Sequence, residues 1–271
     1  IDPVHDIAIL KADQTFKPYL ELGDSSLDKG TKIFSFGNPY DLGMTIVEGL
    51  YNGLMERSMY RKILFSGSLN PGMSGGPALG ADGKIIGVNV STAGDQISFF
   101  VPVEYLKGLA AELQQNKNLI LDGGWQKVIR DRLVMNQDQF VDELVAQETW
   151  TKRQIGRALV PGEISDEFKC WGQSSDNREY WMKYAYSTCS TEDVVFISST
   201  MFTGQFAFRY TWLESREFNP FRFYNLFQKH VGEDDLYYFE NAAERDAENF
   251  SCKNSFVRID GKVFQSSFSA R

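Results

Sequence analysis

The stretch "NPGMSGGPALGADGKIIGVNV", Asn70 to Val90, sets one serine, Ser74, among Gly72, Gly75, Gly76 and Pro77. A tightly bent, glycine-rich loop around one hydroxyl is a pattern for an activated nucleophile, although a plain glycine turn is the structural alternative. A serine hydroxyl does not attack an amide unaided. It needs a base to take its proton and an acid to orient that base. The chain holds two histidines, His5 and His230. His5 directly precedes Asp6, and in a strand adjacent residues face opposite ways, so it is poorly placed to bridge an acid and Ser74. His230 lies in "FQKHVGEDD", where an exposed helix-end histidine is the ordinary case.

The elements that must position Ser74 read as β. Asp6–Lys11, Lys32–Gly37, Thr45–Gly53, Lys62–Gly67, Lys84–Ser91 and Gln96–Pro102 are short runs rich in Ile, Val and Phe. Turn signals separate them: "GNPYDLG", "NPGMSGG", "ADGK" and "TAGD". Many short strands with regular turns predict a barrel or sandwich. "PVEYLKGLAAELQQN" closes the block as a helix, with Leu106, Leu109 and Leu113 on one stripe. The order of elements also decides what kind of nucleophile loop this is. An elbow of the α/β-hydrolase type needs a helix after the serine, whereas here a proline, a "DG" turn and a Val/Ile strand follow. The remaining pattern is the trypsin-like one, in which the N–H groups of Gly72 and Ser74 serve as oxyanion donors.

"LNPGMSGGPALGADGKIIGVNV" and "QISFFVPVEYL" resemble the second barrel of the HtrA (DegP-like) branch of trypsin-fold serine proteases. That branch carries "NPGNSGGP", then "G-x-x-IGIN" and "GFAIP". Upstream, "DPVHDIAILK" is similar to its "DP-x-x-DIAVLK", and "GTKIFSFGNPYDLGMTIVEGLYNG" to its "G-x-x-V-x-AIGNPFGLG-x-TVT-x-GIVS". The likeness covers about residues 1–115. It implies that Ser74 is the nucleophile, Asp6 the orienting acid, and Gly72 with Ser74 the oxyanion hole. In that family the histidine comes from the first barrel, N-terminal to the acid, so the expectation is a base upstream of this numbering. By itself the 271-residue chain is then nearly inactive. The alternative is an inactive trypsin-fold protein that serves as a binding or structural part of a larger assembly. The substrate pocket implied before the nucleophile contains Ser68 and Leu69, with no acid among Ser66–Asn70 to meet a basic side chain. Phe100 stands where the family usually has alanine and either narrows the pocket or fills it.

The stretch from about Gln115 to Gly124 reads as a linker, followed by two amphipathic helices. The first carries Trp125, Val128, Ile129 and Leu133; the second carries Phe140, Val141, Leu144 and Val145 behind a cap at Asn136. Beyond Trp150, Tyr180–Ser187, Asp193–Ser199 and Gln205–Trp212 read as strands, with a hairpin signal at Thr203 and Gly204. Asn219 and Pro220 open a helix with Phe223, Leu226 and Phe227 on one face. The expected fold class is therefore mainly β: a chymotrypsin-like barrel with a flanking strand, its first barrel largely missing, then a helical connector and a small α+β domain. The corresponding boundaries are 1–115, 116–150 and 151–271. Nothing in the last segment aligns with a PDZ domain.

A net charge of −8 with no long Lys/Arg run argues against nucleic-acid and anionic-membrane partners and favours a protein or peptide. No apolar run approaches a membrane span. Cys170, Cys189 and Cys252 have neither metal-site spacing nor the number of a disulfide scaffold. They leave open one disulfide plus a thiol, or three buried thiols. No cofactor or metal is expected, and an extracytoplasmic location is.

Overall fold

The computed structural model describes residues 1–116, 124–147, 150–177, 182–197, 202–203, 205–215, 217–232, 251–259 and 262–270. Six strands close a barrel: β1 (Lys32–Gly37), β2 (Thr45–Leu54), β3 (Ile63–Phe65), β4 (Pro77–Leu79), β5 (Ile85–Gly94) and β6 (Ile97–Pro102), in the order β1-β2-β3-β6-β5-β4. The fold is mainly β, as expected. Alternation drives the closure. Ile33, Ile63, Phe65, Ala78, Ile86 and Phe100 point inward and form one core with Tyr51, Leu69 and Met73, while the intervening residues face out. Close approach is obligatory at Gly87 of β5, where a Cβ would lie 2.7 Å from the Val101 carbonyl oxygen. Helix α1 (Val103–Gln115) follows β6 and packs back through Leu109 onto Val101 and Ile7.

Two strand expectations fail for lack of a ladder partner. Residues 6–11 form no strand; residues 3–6 make a turn closed by the antiparallel bridge Asp2↔Ile7, and Asp6 takes φ 56° there. Residues 193–197 likewise hold only the bridge Phe196↔Phe202, with the rest of Asp193–Ser199 outside the described residues. The Asp193 carboxylate instead accepts from the Met59 N–H (2.6 Å) and the Ser58 hydroxyl (3.1 Å). A third correction concerns the connector, which is one helix and not two: α2 runs unbroken over Trp125–Ala146. No Gly or Pro interrupts it, so Ile129, Leu133, Asn136, Phe140 and Leu144 continue one face. Asn136 is therefore no cap; its Oδ1 accepts from the Tyr60 hydroxyl at 2.6 Å.

The chain divides into two compact units, residues 1–173 with 186–210, and residues 174–185 with 211–271. In the first, Tyr60, Leu133 and Val195 make one cluster, and Leu144, Phe168 and Cys189 another. The hairpin of β7 (Lys152–Ile155) and β8 (Ala158–Pro161) also lies there. Cys170 and Cys189 form a disulfide between β9 (Phe168–Asn177) and β10 (Met182–Thr191), which are neighbours in a sheet completed by β11 (Ala207–Ser215). The second unit contains α3 (Pro220–Gly232), whose N-terminus is capped by Asn219 Oδ1 accepting from the Arg222 N–H at 2.9 Å. It also contains the antiparallel pair β12 (Ser251–Ile259) and β13 (Lys262–Ala270). The expected hairpin at Gly204 falls outside the described residues, as does the linker segment 117–123.

Candidate active site

Ser74 sits in the loop that joins β3 to β4. This loop is held to the barrel by its backbone and by one buried side chain. Gly75 N–H donates to the Asn89 carbonyl (2.9 Å), Asn89 N–H to the Gly76 carbonyl (2.8 Å), and Met73 N–H to the Asn70 carbonyl (3.0 Å). Gly72 and Gly75 occupy the left-handed region, at φ 99° and 81°. At Gly76 a Cβ would fall 2.1 Å from the Phe36 carbonyl oxygen, so only glycine lets the loop lie this close to β1.

Between the two expected oxyanion donors the chain is pinned inward. The Met73 side chain is fully buried in the barrel core. Its carbonyl accepts from Asn89 Nδ2 at 3.0 Å and from the Gly76 N–H at 3.1 Å. The Pro71 carbonyl accepts from the Tyr40 N–H at 2.9 Å. In a trans peptide C=O and N–H point in opposite directions. Each anchored carbonyl therefore turns the following N–H, that of Gly72 or Ser74, away from its anchor. Among the described residues neither N–H has an acceptor. The Ser74 hydroxyl is exposed and makes a long contact, 3.4 Å, to the Val90 carbonyl.

Asp6 is exposed at the end of the N-terminal turn, and no described residue hydrogen-bonds its carboxylate. Partial desolvation raises its pKa, against an opposing pull from Lys62. No hydrogen bond joins Asp6 to Ser74 or His5. His5 is engaged elsewhere, with Nδ1 2.7 Å from Asp2 Oδ2 and its ring stacked on Tyr105 at 3.7 Å. Because His5 lies in a turn, strand alternation is not what keeps it from Ser74; its contacts with Asp2 and Tyr105 are what occupy it. His230 falls in α3, in the other unit.

Of the expected pocket residues, Ser68 Oγ accepts from the Gln96 N–H (3.3 Å) and the Leu69 N–H donates to Ser98 Oγ (3.0 Å). Leu69 and Phe100 belong to the barrel core; Phe100 is fully buried against Phe65, with ring centroids 4.7 Å apart. Sequence reasoning missed Asn89. Its signal was an amide at an inward-facing position of an otherwise apolar strand, "IIGVNV", where a polar side chain needs a purpose.

Residues 1–88 match the trypsin-like peptidase domain family. Among curated proteins, a putative serine protease HhoB of Synechocystis is 32% identical over 124 residues, 42% of this chain and 30% of that protein. A probable periplasmic serine endoprotease, DegP-like, of Halomonas elongata is 30% identical over 138 residues, 47% of this chain and 29% of that protein. Among solved structures, the HtrA-type protease AlgW with a decapeptide is 26% identical, covering 42% of this chain and 39% of that one at a TM-score of 0.40. The chain thus spans about 30% of the length of these curated relatives. The barrel portion, about residues 1–115, is thus similar to the trypsin-like and HtrA-type serine proteases.

Proposed function

We propose that this chain contributes the nucleophile and the orienting acid of an HtrA-like serine endopeptidase. One observation carries the reading: two N–H groups without acceptors, on Gly72 and Ser74, flank a buried and anchored Met73 beside an exposed serine hydroxyl. In the proposed reaction Ser74 Oγ attacks the scissile carbonyl and gives its proton to a histidine supplied from outside this numbering. Asp6 holds that imidazole and stabilises its charged form. The Gly72 and Ser74 N–H groups donate to the oxyanion. Collapse of the tetrahedral intermediate breaks the C–N bond, and the imidazolium protonates the departing amine. Water then adds to the acyl-enzyme as the imidazole takes its proton; the bond from Ser74 Oγ to the acyl carbon breaks, the imidazolium returns that proton to Oγ, and the acid departs.

The substrate class is a protein or peptide. With no carboxylate among Ser66–Asn70, small or medium apolar side chains suit the pocket better than basic ones. An extracytoplasmic location is supported by the Cys170–Cys189 disulfide, since such bonds persist in oxidising compartments. The "periplasmic" in the name of the Halomonas relative points the same way. No described helix is long and apolar enough to cross a membrane.

The test is labelling of the full-length protein with a fluorophosphonate probe beside Ser74→Ala. Wild type is expected to label and the variant not to. Equal labelling, or none in either, overturns the reading and favours a retired barrel that acts as a binding component. Intact-mass measurement of the native material shows whether the histidine resides on the same polypeptide or on an associated one.

A further inference from the structure

The side chain of Asn89 does more than fill the barrel. It is 2% exposed, and all three of its polar contacts are to groups that fix its orientation. Asn89 Oδ1 accepts from the Ser35 hydroxyl at 3.0 Å. Nδ2 donates to the Phe36 carbonyl at 2.8 Å and to the Met73 carbonyl at 3.0 Å. Carbonyls only accept, so the amide cannot be turned over without placing oxygen against oxygen twice. One buried side chain on β5 therefore ties β1 to the peptide that joins Met73 to Ser74.

We propose that Asn89 is a positioning residue for the oxyanion hole: by holding the Met73 carbonyl inward it aims the Ser74 N–H outward, toward the site where negative charge develops. The inference rests on the reading of Ser74 as nucleophile, and it concerns the orientation of one peptide plane. The Gly76 N–H shares the same carbonyl. However, Gly76 belongs to the loop itself and moves with it, whereas Asn89 is fixed in the barrel wall. Asn89→Asp replaces the donating amide with a carboxylate of the same shape, which faces two carbonyl oxygens and repels them. The Met73–Ser74 peptide is then free to rotate, and the Ser74 N–H leaves its outward position.

The experiment compares full-length wild type, Asn89→Asp and Ser25→Ala. The buried Ser25 hydroxyl donates to the Glu104 carboxylate, so its loss lowers stability without touching the nucleophile loop. Fluorophosphonate inactivation kinetics separate probe binding, KI, from bond formation, kinact. Asn89→Asp is expected to lower kinact by at least about tenfold, approaching the roughly hundredfold or greater cost of a lost oxyanion donor, while KI stays within about twofold. Ser25→Ala should change neither. A crystal structure of Asn89→Asp should show the 73–74 peptide rotated. Unchanged kinact, equal changes in kinact and KI, or an unrotated peptide each overturn the proposal. If wild type does not react with the probe at all, the reading of Ser74 fails, and the rotation of the peptide still decides whether Asn89 holds it. Should Asn89→Asp not fold, Asn89→Ala combined with Ser35→Ala removes both members of the buried hydrogen bond and serves in its place.

Discussion

At the scale of single residues, the nucleophile loop is defined by what cannot be replaced in it. Gly72 and Gly75 both have positive φ, yet they differ in surroundings. A Cβ on Gly72 would lie 2.3 Å from the Asn38 carbonyl oxygen, whereas one on Gly75 meets nothing within 4 Å. Gly75→Ala should therefore carry only the left-handed backbone penalty, about 1 to 2 kcal/mol. Gly72→Ala adds a clash with backbone that cannot move aside, and it should be the more destabilising of the two in urea titrations. If the two variants unfold at the same urea concentration, the packing of residue 72 against residue 38 is not as described. The "GMSGG" pattern made these glycines visible in the sequence. Asn89 was not visible as a partner, because its contacts to Ser35, Phe36 and Met73 join residues far apart in the chain.

At the scale of elements, local patterning was readable wherever a strand had its partner within the barrel. Lys32–Gly37 and Ile97–Pro102 fall within a residue of the expected limits, because buried Ile33 and Ser35, and buried Ser98 and Phe100, are each separated by a less buried residue and turns bound the strands. Pro77–Leu79 was too short to announce itself. Asp193 illustrates the limit. "DVVFIS" has the composition of a strand, but its carboxylate is held by the loop that joins β2 to β3, and no local pattern encodes that tertiary demand. The same loop presents Tyr60 to Asn136 of α2. Burial, aided by the negative charge of Asp193, pushes the Tyr60 hydroxyl up to about 12. In the unfolded chain it ionises near its usual value of 10. Between those values the folded state keeps a proton that the unfolded state has lost, so stability falls as pH rises. The loss reaches about 2 to 3 kcal/mol at its fullest. Tyr60→Phe should lack this part of the alkaline decline. Urea midpoints of the two proteins compared from pH 9 to 12 check it, and parallel curves would count against the buried hydroxyl.

At the scale of the whole molecule, the barrel does not stand alone. Residues 1–173 and 186–210 form one compact unit, in which Tyr60, Leu133 and Val195 pack together and Asp193 grips the β2–β3 loop. The composition of residues 116–150 suggested a connector; what composition could not show is that the α2 face of this segment buries Leu133 and Leu144 in clusters with residues on either side of it in sequence. The disulfide Cys170–Cys189 lies in the same unit and spans 19 residues. Closing a loop of that length removes freedom from the unfolded chain worth about 3 kcal/mol in the loop-entropy model. Because barrel and helix share contacts, that stabilisation belongs to the unit and not to the sheet alone. Cys170→Ser with Cys189→Ser should lower the unfolding temperature of the unit as a single transition, and wild type in reductant should follow it. Calorimetry with and without reductant measures the shift. A barrel transition that stays at the wild-type temperature while a separate, earlier one appears would show that the barrel unfolds independently of residues 125–210.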